Sequence, residues 1–171
     1  VIQHTLVPEG SNEQKQHGET LGAQYLNVKI PTSNSKGSYA YLGQSVKLQK
    51  NAVYELTAWI KVTGNITGAS STSDKQAGAR VGFLEDKDFA KIKVVSANGG
   101  WTKDSVYITP ATSKTLTLVV GIGDEAVADD GMGKSRGEAW FDAISLTKVD
   151  KSVVADIAAS DIHTVKSGTS Y

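Results

Sequence analysis

The sequence predicts an all-β protein, a two-sheet antiparallel β-sandwich of jelly-roll type, and three observations carry that prediction. Helix formers are sparse among the 171 residues, while Val, Thr, Ser, Gly and Tyr recur in short alternating runs separated by Gly and Asn clusters. The strongest run keeps Tyr54, Leu56, Ala58, Ile60 and Val62 on one side without a break, the period of a strand with one buried face. A second run, Gly137 to Leu146, lies far downstream and reads as the strand that closes the sandwich. A chain of this length is ample for one buried core.

Taken in order, residues 1–22 are polar and irregular, broken by Pro8, Gly10, Gly18 and Gly22. Alternation starts with Leu26, Val28 and Ile30, leaving Tyr25, Asn27 and Lys29 on the other side, and Pro31 to Gly37 is a turn. In the next strand Ala40, Leu42, Val46 and Leu48 share one parity, with Tyr39 and Tyr41 on the other. Lys50-Asn51 turns into the run from Tyr54, whose opposite face is Val53, Glu55, Thr57, Trp59 and Lys61. Gly64 to Gly78 is a polar loop. Strands fit 79–84, 90–95, 104–109 and 115–122, and Asn98-Gly99-Gly100 turns into Trp101. Asp124 to Arg136 is a second long loop before the closing strand at 137–147. About eight strands suit a jelly roll. Residues 1–149 are assigned to the sandwich. Residues 150–171 find no strand partner in this scheme, although Val153 to Ala159 has room for one helical turn, and are expected to be a linker towards a following domain.

Composition removes whole function classes. The 18 basic and 18 acidic residues cancel, so no clustered positive charge favours nucleic acid. No run approaches the ~20 apolar residues of a membrane span. There is no cysteine, which excludes disulfides, thiolate catalysis and cysteine metal sites. His4, His17 and His163 fall in irregular segments without His-x-x-x-His spacing. No Ser-His-Asp set, phosphate loop or nucleotide fingerprint is present.

Four stretches in order carry a family resemblance: Ala40-Tyr41-Leu42-Gly43-Gln44-Ser45-Val46-Lys47-Leu48; Tyr54 to Val62; Gly100-Trp101-Thr102 ahead of Val106-Tyr107-Ile108-Thr109-Pro110; and Trp140-Phe141-Asp142-Ala143-Ile144-Ser145-Leu146. Over roughly residues 20–148 the chain resembles carbohydrate-binding modules of the galactose-binding-like jelly-roll type, the group of families four, nine, sixteen and twenty-two. The resemblance implies a secreted, non-catalytic module, a monomer covalently linked to a catalytic domain, that binds a polysaccharide or oligosaccharide on one sheet face or at one rim. It also implies a structural Ca2+. Two departures bear on that ion: residues 1–22 lack the family's opening aromatic-acidic pair, and Ala143 stands where the closing strand usually has a second acid.

The candidate sugar contacts follow from parity and chemistry. A sugar offers C–H faces to flat aromatic rings and hydroxyls to polar groups. Trp59, Tyr39, Tyr41 and Tyr107 have the outward parity of their strands, unless a loop or the tail covers them. Only two of the 18 basic residues are arginines, Arg80 and Arg136. A guanidinium grips carboxylates in bidentate fashion, so convergence of both near Trp59 would favour alginate, pectin or another acidic polysaccharide. Surface pairing with Glu85, Asp86 or Glu138 is the plainer alternative. The resemblance implies that Trp101 plugs the core, and Trp140 shares parity with Ile144 and Leu146, which also places it in the core. Asp142 has inward parity and, by resemblance, is the calcium candidate; a buried hydrogen-bonded carboxylate is the alternative. The acidic loop Asp124, Glu125, Asp129 and Asp130 lacks the EF-hand spacing.

Three functions from different classes fit unequally. A carbohydrate-binding module anchoring a polysaccharide-degrading enzyme accounts for most of the pattern. A structural or adhesive spacer in a surface protein uses the same sandwich without a sugar site. A small jelly-roll lyase or glucanase needs paired Glu on a strand, or His and Tyr beside a basic cleft, and neither pattern occurs.

Overall fold

The computed structural model describes residues 2–6, 24–33, 39–68, 78–86, 92–94, 96, 100–123 and 135–171, with backbone alone at 2–6, 24 and 68. Its strands are β1 (Ile2–Leu6), β2 (Gln24–Ile30), β3 (Ala40–Leu48), β4 (Tyr54–Gly68), β5 (Ala79–Phe83), β6 (Ile92–Val94), β7 (Thr102–Pro110), β8 (Lys114–Ile122), β9 (Ser135–Lys148), β10 (Ile162–Val165) and β11 (Thr169–Ser170). A short helix, α1, spans Lys151–Val154. No helix among the described residues is long and apolar enough to cross a membrane.

The strands form two sheets, and the fold is an all-β sandwich. Sheet A runs β1-β2-β9-β4-β7-β10. In sheet B, β3 pairs with β8 along its whole length, so β5 lies on β8's other edge with β6 outside it, and β11 pairs with the start of β8. All pairs are antiparallel except β10 with β7.

Alternation drives this arrangement. From Tyr54 to Val62 every second side chain of β4 is buried and the others are half-buried. Leu56, Ile60, Val28 and Phe141 of sheet A meet Val81, Phe83, Leu116 and Ile122 of sheet B, each 1% exposed or less. Full burial of one such side chain stabilises by roughly 1.5–3 kcal/mol, so the strand faces that form the core are strongly fixed in register.

All eight sequence-predicted strands are present. One addition is β1, in a stretch expected to be irregular. It pairs with β2 at the edge of sheet A, Ile2 opposite Val28 and Leu6 opposite Gln24. Backbone pairing along an existing edge is what orders it, and the broken hydrophobic period gave no sign of that.

The expectation that residues 150–171 find no strand partner is corrected. After α1 and a 3-10 turn at Ala159–Asp161, β10 adds to β7, with Ile162 opposite Tyr107 and Val165 opposite Pro110. The buried Val165 accepts a hydrogen bond on its carbonyl from the Ala111 N–H at 3.0 Å. The segment then crosses to sheet B: Lys114 Nζ donates to the Lys166 carbonyl at 2.6 Å, and β11 pairs with Thr115 and Lys114. The Tyr171 hydroxyl donates to the Leu48 carbonyl at 3.3 Å, and Lys47 Nζ lies 5.2 Å from its ring centroid. These strands of four and two residues are too short for a period to show in the sequence. The tail is a strap tying the two sheets together.

Candidate functional site

One local irregularity decides which side chains line the outer face of sheet A. Trp59 of β4 is opposite Asp142 of β9, and Thr57 is opposite Ser145. Only Ala58 lies between the first pair on β4, while Ala143 and Ile144 lie between their partners on β9. This is a β-bulge, with Ala143 at φ 44°. Parity reverses across it. Ile144 and Leu146 pack against the core, whereas Arg136, Glu138, Trp140 and Asp142 project outward.

Two sequence expectations are overturned for that reason. Trp140 is not a core residue: it sits half-buried on the outer face between Asn27 of β2 and Lys61 of β4, with Lys61 Nζ 5.4 Å from its ring centroid. Asp142 does not point inward; it faces out beside Trp59, and its Oδ1 accepts the Ala143 N–H at 2.6 Å. Trp101 is also no core plug. It is half-buried at the head of β7, and its ring centroid lies 6.2 Å from that of Tyr25, tilted by 60°, with β9 and β4 between their strands.

The outcome is an aromatic patch with polar flanks. Trp59 has Asp142 on one side and Lys103 of β7 on the other. Trp140 is its diagonal neighbour, and diagonal pairs on adjoining strands sit ~7–8 Å apart. Around the two indoles the polar groups are held in place. Asn27 Nδ2 donates to Glu138 Oε1 at 3.3 Å and to the Ala139 carbonyl at 3.2 Å, and Lys29 Nζ lies 3.4 Å from Glu138 Oε2. Both indoles are half-buried, neither sealed in the core nor fully bare. Rings in this state have lost part of their mobility before any ligand arrives, which lowers the ordering cost of binding.

The other sequence candidates divide between places. Tyr107 shares the outer face of sheet A but lies four residues beyond Lys103 on β7, about 13 Å from the Trp59 row. Arg136 is on the same face at the opposite end, paired with Thr67, six residues or about 20 Å along β9 from Asp142. Arg80, Tyr41 and Tyr39 belong to the outer face of sheet B. Tyr39 and Tyr41 stack at 6.3 Å with 22° between planes. Arg80 is buried, aligned with Gly121 and, beyond it, Tyr41. The two arginines therefore do not converge on Trp59.

Sequence reasoning missed Trp140, Tyr25 and Trp101 as members of the patch. Tyr25 had the outward parity that could have found it. Trp140 needed the bulge, and no sequence period announces one.

Calcium takes six to eight oxygen ligands. Among the described residues no group of three or more His, Asp or Glu side chains gathers that could hold a metal. The acidic loop residues Asp124, Glu125, Asp129 and Asp130 lie outside the described residues.

No protein-family model matches the chain. No curated protein matches it either. Among solved structures, it is similar to the N-terminal CBM22-1–GH10 modules of endo-1,4-beta-D-xylanase 10B of Clostridium thermocellum, complexed with xylohexaose. The two are 17% identical with a TM-score of 0.44, over 88% of this chain and 25% of that one. The chain thus spans about a quarter of that protein's length.

Proposed function

We propose that the chain is a non-catalytic carbohydrate-binding module, serving a secreted polysaccharide-degrading enzyme by anchoring a covalently linked catalytic domain to its polymer. The observation that carries the reading is the pair of half-buried indoles, Trp59 and Trp140, on adjoining strands of the outer face of sheet A. Two flat rings at that spacing offer apolar platforms to the C–H faces of a glycan, and Lys61, Lys103, Asp142 and Asn27 around them offer donors and acceptors to its hydroxyls. Binding would act through effective concentration: tethering keeps the catalytic partner near its substrate without any chemistry in this domain.

Recognition of an acidic polymer beside Trp59 requires both arginines to meet there. Arg80 lies on the other sheet and Arg136 at the far end of the face, so a bidentate grip on a uronate beside Trp59 loses its basis. A neutral polysaccharide is the reading we prefer. Affinity gel electrophoresis against xylan, glucan, mannan, alginate and pectin tests both points. Retardation by a neutral polymer supports the proposal, and no retardation by any of the five overturns it.

One observation favours a structural spacer instead: the rings are already partly covered, Trp140 by Lys61 and Trp101 by Tyr25. Acrylamide quenching of indole fluorescence separates the two readings. Oligosaccharides protect the indoles in a binding module and leave quenching unchanged in a spacer.

A further inference from the structure

The strap formed by the C-terminal segment makes a second concavity, away from the two indoles. β10 joins β7 only from Tyr107 onward, so the chain just before it, Ser160 and Asp161, stands off the earlier part of β7 at Ser105. The groove left between them has a volume of about 570 Å³. That is within the ~300–1,000 Å³ of small-ligand sites. Its lining has the composition a sugar ring needs. Tyr107 supplies a half-buried aromatic wall, Ser105 and Ser160 supply hydroxyls, and Asp161 supplies a carboxylate. The Asp161 backbone is fixed by its N–H donating to the Ala158 carbonyl at 2.9 Å. His163, also in the lining, is held by Asp86, three residues beyond β5, Nε2 to Oδ2 at 2.9 Å. The groove is thus anchored from sheet B as well as from sheet A.

We propose that this groove is a second saccharide subsite, selective for a neutral mono- or disaccharide unit and present only when the strap is docked. The selectivity follows from charge. A carboxylate accepts hydrogen bonds well from paired sugar hydroxyls. It repels a uronate carboxylate at the same distance. Among the lining residues Asp161 brings the acidic charge and no Lys or Arg offsets it. The inference rests on the reading of the chain as a sugar binder but uses none of the residues around Trp59.

The test is an amide-resolved NMR titration of the full chain with cellohexaose, mannohexaose and trigalacturonate, on wild type, Trp59→Ala, Tyr107→Phe and Asp161→Asn. The expected result with a neutral hexasaccharide is two separable sets of shifts, one at the Trp59 and Trp140 rows and one at Ser105, Tyr107 and residues 160–163. Trp59→Ala removes the first set and leaves the second. Asp161→Asn weakens the second at least fivefold while the first is unchanged, and trigalacturonate leaves the groove silent in wild type. Shifts at the indoles with none in the groove overturn this inference alone. Groove shifts without indole shifts uphold it and overturn the placement of the main site. Silence at both overturns both. Tyr107→Phe, which keeps the ring and the fold, is expected to retain groove binding; its complete loss there would contradict a stacking role for the ring.

Discussion

The bulge at Ala143 sets which side chains of β9 face outward, and replacing Ala143 by Gly tests it. Ala143 has φ 44° and an exposed side chain, so a change there involves backbone conformation with little packing. Left-handed backbone costs a residue with a Cβ roughly 1–2 kcal/mol. Against this, Gly in extended structure loses about 0.5–1 kcal/mol more conformational entropy than Ala. The difference leaves Ala143→Gly more stable by about 0.5–1 kcal/mol. For a chain of this size that raises Tm by about 1–4 °C. Urea unfolding measures the same quantity as a higher midpoint with an unchanged slope. Ala143→Val should move the other way by about 1–3 kcal/mol, because a β-branched residue is badly accommodated at positive φ. If the Gly variant is less stable than wild type and the Val variant is tolerated, Ala143 is in ordinary extended backbone. The bulge is then absent, Trp140 returns to the parity of Ile144, and the paired-indole patch disappears with it.

Other expectations concern the two sheets and the strap. A Cβ at Gly121 would collide with the Ala40 carbonyl oxygen and lie 2.6 Å from Tyr41 Cα; both are backbone, so Gly121→Ala is expected to cost about 3 kcal/mol or more in denaturant unfolding. Val165 is fully buried in the strap, and Val165→Ala is expected to cost about 2 kcal/mol, whereas an undocked linker would show no change. His163→Ala removes the 2.9 Å contact with Asp86. Limited proteolysis should then cut within residues 150–171 faster than in wild type, with global stability lowered by only about 1 kcal/mol.

The sandwich was legible because its strands alternate cleanly. β4 shows the pattern best, with Tyr54, Leu56, Ala58, Ile60 and Val62 all buried as their period requires. The strap was not legible, because β10 and β11 are stabilised by pairing with β7 and β8 and by single contacts such as Val165 and Tyr171, none of which leaves a periodic mark. The site was half legible. Trp59 is legible from its own strand, but its neighbours depend on register: a period of two carried unbroken through Ala143 puts Trp140 and Asp142 inward. One extra residue on β9 reversed both. The opposite error applies to Arg80. Its outward parity was right, yet parity along one strand cannot say which of two sheets that strand joins, and Arg80 belongs to sheet B with Tyr41.

The most direct test of sugar binding on the outer face of sheet A is an isothermal titration of Trp59→Ala beside Tyr41→Ala, using whichever polysaccharide retards the wild-type chain. Tyr41 lies on sheet B, so its loss is expected to leave affinity within about twofold. Loss of a central aromatic anchor typically costs about 2 kcal/mol or more, which places Trp59→Ala at least tenfold weaker. Equal affinity for Trp59→Ala and wild type, or a greater loss in Tyr41→Ala, would contradict the account.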